Sequence, residues 1–273
     1  KGYIMDINTS YNTNIQGLYG AQAGSLEKLS SALAINKASD DASGLAIADQ
    51  LGVQKSSLTQ ELENMNSGIA MSSIAQGGIS SQKELLENIR TETLKAMSST
   101  TSDEGKEAIS NQISKYIDQY EQIANSTNYN GQNLLKTSGD ATDDLSIIGD
   151  DSIIEMSKSN TTSISDELRT FMSDFATNQS SMDGLLSAVD NGMDQLASYA
   201  SDYGSSMNAF ASNARNSMTT EKEIASAQST IMDIDYSKEV SDFSKTNLQT
   251  QIGLIMQTQA NAVQSRSVNL LSW

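Results

Sequence analysis

Ile4, Ile7, Tyr11, Ile15, Leu18, Leu26, Leu29 and Leu33 follow one another at three- and four-residue steps, with one eight-residue gap. That spacing draws an apolar stripe along one side of a helix and predicts a helix over 4–36. The pattern breaks at KASDDASGLAI, residues 37–47. Asp40, Asp41 and Ser43 are residue types that cap helix starts, and Gly44 accepts backbone angles that other residues avoid. An inter-domain turn is therefore expected here, with a second helix beginning near Gly44.

That second helix is expected to run to about Met97. Leu51, Leu58, Met65, Ile79 and Leu86 fall on a seven-residue grid, with Ser72 in the vacant slot and Leu62 and Ile69 as partners. This is a coiled-coil-like seam, weakest at Gly77–Gly78. Ser98–Gly105 reads as a polar turn. Ile109, Ile113, Tyr116, Ile117, Tyr120 and Ile123 then mark a third, antiparallel helix ending near Asn125.

Residues 128–165 change character. Asn130–Gly131 and Ser138–Gly139 are turn pairs, and short apolar pieces (Leu134–Leu135, Leu145–Ile148, Ile153–Met156) alternate with Asp and Ser. A small β-hairpin region is predicted, followed by a short helix over 166–176. Helix returns over 181–230. A linker near Asp233–Tyr236 precedes a last helix, 237–271, carrying Val240, Phe243, Leu248, Ile252, Ile255, Ala262 and Val263. The fold class is mainly α: an elongated antiparallel helical bundle or coiled coil with a small β-hairpin region.

Composition supports long helices. The 273-residue chain has no Pro, Cys or His, and Pro is the residue that breaks helix interiors. Without Cys there is no disulfide or thiol chemistry, and without His the commonest general base and metal ligand are missing. No apolar run is long enough to span a membrane, and KGYIMDINTS does not resemble a secretory leader. Net charge is −17, unevenly spread. Residues 1–43 and 233–273 each hold three bases and four acids, against eleven bases and twenty-six acids between them. An acidic chain is a poor nucleic-acid ligand, so neither nucleic acid nor membrane is expected as a partner. The near-neutral ends suit burial and the acidic middle suits solvent.

Candidate chemistry is thin. Asp40–Asp41 could form a paired-carboxylate site, but a cap and turn accounts for them better. Asp143–Asp144 and Asp150–Asp151 lack the spaced ligands and closing Glu of a calcium loop, which leaves a solvated hairpin surface. The serines have no base and no nucleophile elbow, and Gly77–Gly78 lacks the ending of a phosphate loop. No enzyme, cofactor or metal is expected. The terminal stripes are the exception to this blandness. They are long, apolar and almost without ionic flanks, so they pair with each other or pack against copies. Their amide-rich polar faces suit repeated interfaces where charge is costly to bury.

Three segments resemble the bacterial flagellins. SSALAINKASDDASGLAIADQL (Ser30–Leu51) is similar to the family's N-terminal signature, typically SSGLRINSAKDDAAGLAI. IDYSKEVSDFSKTNLQTQIGLIMQTQANAVQSRSVNLLSW (Ile234–Trp273) is similar to its C-terminal signature, and IANSTNYNGQNLL (Ile123–Leu135) to its T-x-[FY]-N-G-x-x-L-L segment. The chain departs at Ala34, where the signature has Arg, and at Trp273, where Arg is common. It looks like a short form akin to epsilonproteobacterial flagellins, without hypervariable outer domains.

The resemblance implies a subunit that polymerises into the extracellular filament used for swimming. It implies an inner-core domain of 1–43 with 233–273, and an outer-core helical domain of 44–232 with the hairpin region near 128–165. Ile15, Leu18, Leu26, Leu29, Leu33, Leu248, Ile252, Ile255 and Val263 are then the expected polymerisation interface. It also implies type III export, an export chaperone, a filament cap and hook-junction proteins as partners. A hook–filament junction protein, and a secreted non-polymerising flagellin acting on host cells, stay open as alternatives. In receptor-activating members the outer-core helix resembles L-Q-R-V-R-E-L-A-V. Aligned by the shared Leu and Arg, the innate-receptor-equivalent positions are Asn88, Arg90, Glu92 and, on the next helix, Gln112. An Arg and an apolar anchor are thereby lost, which implies weakened recognition by the Toll-like receptor for flagellins.

Overall fold

The computed structural model describes residues 2–137, 145–148, 153–156 and 158–271, and side chains from Thr13 onward within these, apart from those of 145–148, 153–155, 264 and 267–271. The stripes and the seam become helices: α1 (Gly2–Ser31), α2 (Ala42–Ala96), α3 (Asp103–Ser126), α4 (Thr162–Thr170), α5 (Gln179–Met232) and α6 (Tyr236–Leu271). The hairpin region is two antiparallel pairs, β1 (Asn128–Tyr129) with β2 (Gln132–Asn133) and β3 (Leu145–Ile148) with β4 (Ile153–Met156). The first turns at Asn130–Gly131, both at positive φ, +50° and +80°. Both central residues of the tightest hairpin turn need that geometry, which Asn and Gly tolerate best. Ser138–Gly139 and the acidic pairs 143–144 and 150–151 lie outside the described residues.

By contacts the chain divides into two units, Lys1–Ser56 with Lys222–Trp273, and Ser57–Glu221. In the second unit the core is made by α2, α3, α4 and α5. Met65, Ile79 and Leu86 of α2 are buried on the seven-residue grid with Ile113, Ile117 and Tyr120 of α3 and Leu185, Leu196, Tyr203 and Phe210 of α5. Ser72 fills the small slot because Met156 of β4 enters there: its hydroxyl meets the Met156 sulfur at 3.3 Å and donates to Gly68 O at 2.9 Å. Gly77–Gly78 is no break; α2 runs straight through it. A β-carbon at Gly78 would stand 2.7 Å from Leu135 Cδ1 and 2.8 Å from Thr127 Oγ1, so the glycine is required by close packing.

Helix α3 starts on Ser102, whose Oγ accepts from Gly105 N at 3.2 Å, with Asp103 and Glu104 favourably placed in the first turn. Helix α4 begins four residues before the predicted 166 and stops at Thr170, because Ile164 and Leu168 are drawn into the core and 171–177 coil through turns around buried Phe175. Arg169 fastens α4 to α3 through Asp118 and Glu121, each at 2.8 Å. Both ends of the β3–β4 excursion are held by α5 and α2. Tyr203 Oη donates to Leu134 O at 2.8 Å and accepts from Ser159 N at 3.3 Å. Thr161 N and Oγ1 both donate to Leu135 O at 3.0 Å, and Gln82 Nε2 donates to Thr161 Oγ1 at 2.9 Å.

In the first unit α1 pairs with α6. Helix α1 ends at Ser31 rather than 36 because Ala32 turns to φ +60°. That left-handed angle cannot continue a right-handed helix. The two linkers then pair: Ala34 N donates to Met232 O at 2.6 Å, Ile234 N to Ala32 O at 3.2 Å, and Leu33 lies opposite Asp233.

Candidate assembly surface

Successive residues advance by about 100° around a helix, so α6 can be divided by face. Thr250 and Gly253 point toward α1. Thr250 is only 4% exposed, and its hydroxyl is satisfied within the helix by Thr246 O at 2.8 Å. Gly253 lies against Ile15 and Leu18, and Ile15 is 7% exposed. The seam thus sets bulky residues of α1 against small residues of α6, which brings the two backbones close. Leu248, Ile252, Ile255, Met256 and Val263 lie on the other face and are each more than half exposed, Ile255 reaching 66%. On α1, Leu26 and Tyr19 are also exposed.

The residues marked from the sequence therefore separate by role. Ile15 is enclosed by the α1–α6 pair. Leu18, Leu29 and Leu33 are half-buried. Leu26, Leu248, Ile252, Ile255 and Val263 face outward. Sequence reasoning missed Thr250 and Gly253, because a stripe search rewards large apolar residues and these two are small. It also missed Met256, one step from Ile255 on the outward face.

The turn at 36–44 is held by two carboxylates with separate tasks. Asp41 Oδ1 accepts from Ser43 N and Gly44 N, both at 2.9 Å, and caps α2. Asp40 Oδ2 accepts from Asn36 N at 3.0 Å and Lys37 N at 3.1 Å and closes the linker. The backbone bond from Asn36 is the main influence holding the Asp40 carboxyl below the usual carboxylate range. Two expectations are corrected here. Ser43 does not cap; it sits inside α2, exposed, and gives only its backbone N–H. Gly44 has no positive φ; a β-carbon there would meet Asp41 Oδ2 and Ile35 Cδ1 at 2.7 Å, so space is what demands glycine.

The receptor-equivalent positions lie on α2 and α3. Asn88 is exposed, Gln112 half-buried. Arg90 reaches Asp190 of α5 at 3.3 Å, and Glu92 is bound by Lys95 at 2.7 Å. Among the described residues, no cluster of acids could hold a metal ion, and no helix is long and apolar enough to cross a membrane.

Family models match at both ends: the bacterial flagellin N-terminal helical region over residues 4–140 and the C-terminal helical region over 186–271. A flagellar filament 31.3 kDa core protein of Treponema maltophilum is 25% identical, covering 97% of this chain and 98% of its own. A flagellin of Halalkalibacterium halodurans is 26% identical over 97% and 96%. Flagellin A of Helicobacter mustelae is 40% identical over 47% of this chain and 27% of its own. Among solved structures, a Bacillus cereus flagellin shares the fold with a TM-score of 0.51 at 18% identity, covering 57% of this chain and 88% of that one. A Vibrio parahaemolyticus structure assigned to the hook-associated proteins does so with a TM-score of 0.64 at 14% identity, covering 71% and 100%. With helical regions matched over both ends and apolar terminal helices paired as a seam, the chain belongs to the bacterial flagellins, the structural subunits of the extracellular flagellar filament.

Proposed function

We propose that the two faces of α6 divide the labour of assembly. Its inward face, with Gly253 against Ile15 and Leu18 and with Thr250 buried, holds α1 within one subunit, and Leu29 and Leu33 continue the half-buried side of α1 toward the linkers. Leu248, Ile252, Ile255 and Val263, with Leu26 of α1, make the contacts between subunits. The observation that carries this reading is that α6 is apolar on its outward face while its inward face is already covered. A row of exposed large apolar side chains along one helix face is costly in water and is relieved when another copy covers it. Residues 1–43 with 233–273 form the inner core in this reading and 44–232 the outer core. The α1–α6 pairing supports the first assignment, although by contacts that unit reaches farther in from both ends, to Ser56 and back to Lys222. The same exposed stripe needs cover before assembly, which suits an export chaperone; the filament cap and hook-junction proteins meet subunits at the filament ends.

Ile255→Asp tests this. Ile255 is exposed in the single subunit, so the outer unit stays folded by circular dichroism. At each subunit contact the substitution buries an unpaired carboxylate, which costs more than the roughly 2–7 kcal/mol of an unpaired neutral polar group. Seeded polymerisation is expected to fail, and filaments of normal length from this variant overturn the assignment. Hydrogen exchange gives a second check: Leu248–Val263 gains protection on polymerisation, and equal protection in monomer and filament contradicts it.

A further inference from the structure

Residues 57–221 hold nine bases and twenty-four acids. Copies of so acidic a unit repel one another wherever acids face acids. Two surfaces of this unit are built differently. On α5, residues 203–220 contain no acid and a single cation, Arg215. Asn208, Ser212, Arg215 and Thr219 recur at three- and four-residue steps and are all exposed, which makes one outward face. On α2 and α3, a groove of about 420 Å³ lies between the helices, floored by Leu85 and Ile123 and rimmed by Ser, Asn and Gln side chains. Glu84 is the one charged residue lining it. Among the described residues neither Glu84 nor Arg215 makes an ion pair or a side-chain hydrogen bond, whereas Arg90 and Arg169 are both engaged by acids.

We infer that this groove takes the acid-free face of α5 from a second copy, with Arg215 of that copy placed against Glu84. The contact rests on the filament-subunit reading and names a surface for it in residues 57–221, separate from the α6 stripe. Charge selects the occupant. A neighbour must approach a strongly acidic unit through a face without acids, and the α5 face supplies its one cation, Arg215, opposite the one groove carboxylate, Glu84. The two surfaces are different patches, so the contact is heterologous. Heterologous contacts propagate into open helical polymers, whereas a patch that pairs with itself closes a dimer. The hydroxyl and amide rim can exchange hydrogen bonds with Asn208, Ser212 and Thr219 without burying further charge.

Seeded polymerisation at low ionic strength tests the pairing. Arg215→Glu and Glu84→Arg are each expected to raise the critical concentration about ten-fold or more through like-charge contact. The chain carrying both changes restores opposite charges and returns close to the wild-type value. Thermal melting of the monomers controls for folding. Because the chain has no Cys, a direct test is available. Arg215→Cys and Glu84→Cys subunits are copolymerised and oxidised, and are expected to give a disulfide-linked dimer that the Glu84→Cys subunits alone do not give. If the wild type itself does not polymerise, the filament reading fails and this contact with it. If the wild type polymerises while both charge reversals match it, or no mixed dimer forms, this contact alone is overturned and the groove belongs to another partner or to none.

Discussion

Gly253 of α6 and Ile15 of α1 face each other so closely that a β-carbon at 253 would stand 3.5 Å from Ile15 Cγ1 and 3.8 Å from Leu18 Cδ1. These are ordinary van der Waals distances. Gly253→Ala therefore fits and removes the backbone-entropy cost of a mid-helix glycine, stabilising the α1–α6 pair by about 1 kcal/mol. Slower hydrogen exchange across 246–258 checks this. Faster exchange means the seam needs closer approach than the distances indicate.

The adjacent glycines of α2 respond in opposite directions. A β-carbon at Gly77 meets nothing within 4 Å, whereas one at Gly78 meets Leu135 and Thr127 below 3 Å. Gly77→Ala is expected to stabilise by about 1 kcal/mol. Gly78→Ala forces the 127–135 segment outward and destabilises by about 1–2 kcal/mol after the propensity gain is subtracted. Urea denaturation of both variants decides it, and a shift of the same sign in the two contradicts the packing argument.

Two buried phenols in the unit Ser57–Glu221 also differ. Tyr203 Oη serves Leu134 O and Ser159 N, while among the described residues Tyr120 Oη and Gln82 Oε1 find no hydrogen-bond partner. Tyr203→Phe strands a buried carbonyl and amide and costs about 1–3 kcal/mol; Tyr120→Phe removes an unpaired hydroxyl and is close to neutral. Desolvation by burial raises both pKa values above the ordinary 10.0. The folded chain thus keeps these phenols protonated after the unfolded chain begins to ionise. Their contribution to stability is full below about pH 10 and falls as pH climbs past it. Tyr120→Phe should flatten that alkaline decline, measured by melting temperature against pH.

Receptor recognition is expected to be weak. Arg90, the retained cation, is held by Asp190, and Glu92, where an apolar anchor is expected by resemblance, is a carboxylate tied to Lys95. Losing an Arg and an apolar anchor costs roughly 2–4 kcal/mol on the scale of interface hot spots. In a reporter assay on monomeric protein, Asn88→Arg with Glu92→Leu should raise the response. Wild-type potency equal to that of a receptor-activating flagellin would sink the reading.

The long elements were legible because their signals repeat. The seven-residue grid of α2 located its buried face over Leu58–Leu86, and Asn130–Gly131 announced its turn by residue type. Single-residue events were less visible. Ala32 ends α1 at an angle that its side chain disfavours, so no breaker residue marked the spot. Helix α4 was misplaced because its start at Thr162 is set by tertiary contacts of Ile164 and Leu168 and not by a side-chain cap. The faces of α6 were hidden for a third reason. Along 248–263 the large apolar residues Leu248, Ile252, Ile255 and Val263 lie outward while Thr250 and Gly253 lie inward, the reverse of a helix that buries its stripe within its own chain. The stripe identified the surface residues without telling which neighbour covers them.

From Phe243 onward α6 carries Lys245 and Arg266 as its charges and no carboxylate or imidazole side chain. Acid therefore finds nothing to titrate along Leu248, Ile252, Ile255 and Val263 between about pH 5 and 9. Adhesion through the α6 stripe answers to a different variable. Apolar contacts weaken on cooling, so cold, more than acidity, is the condition expected to loosen the proposed contact.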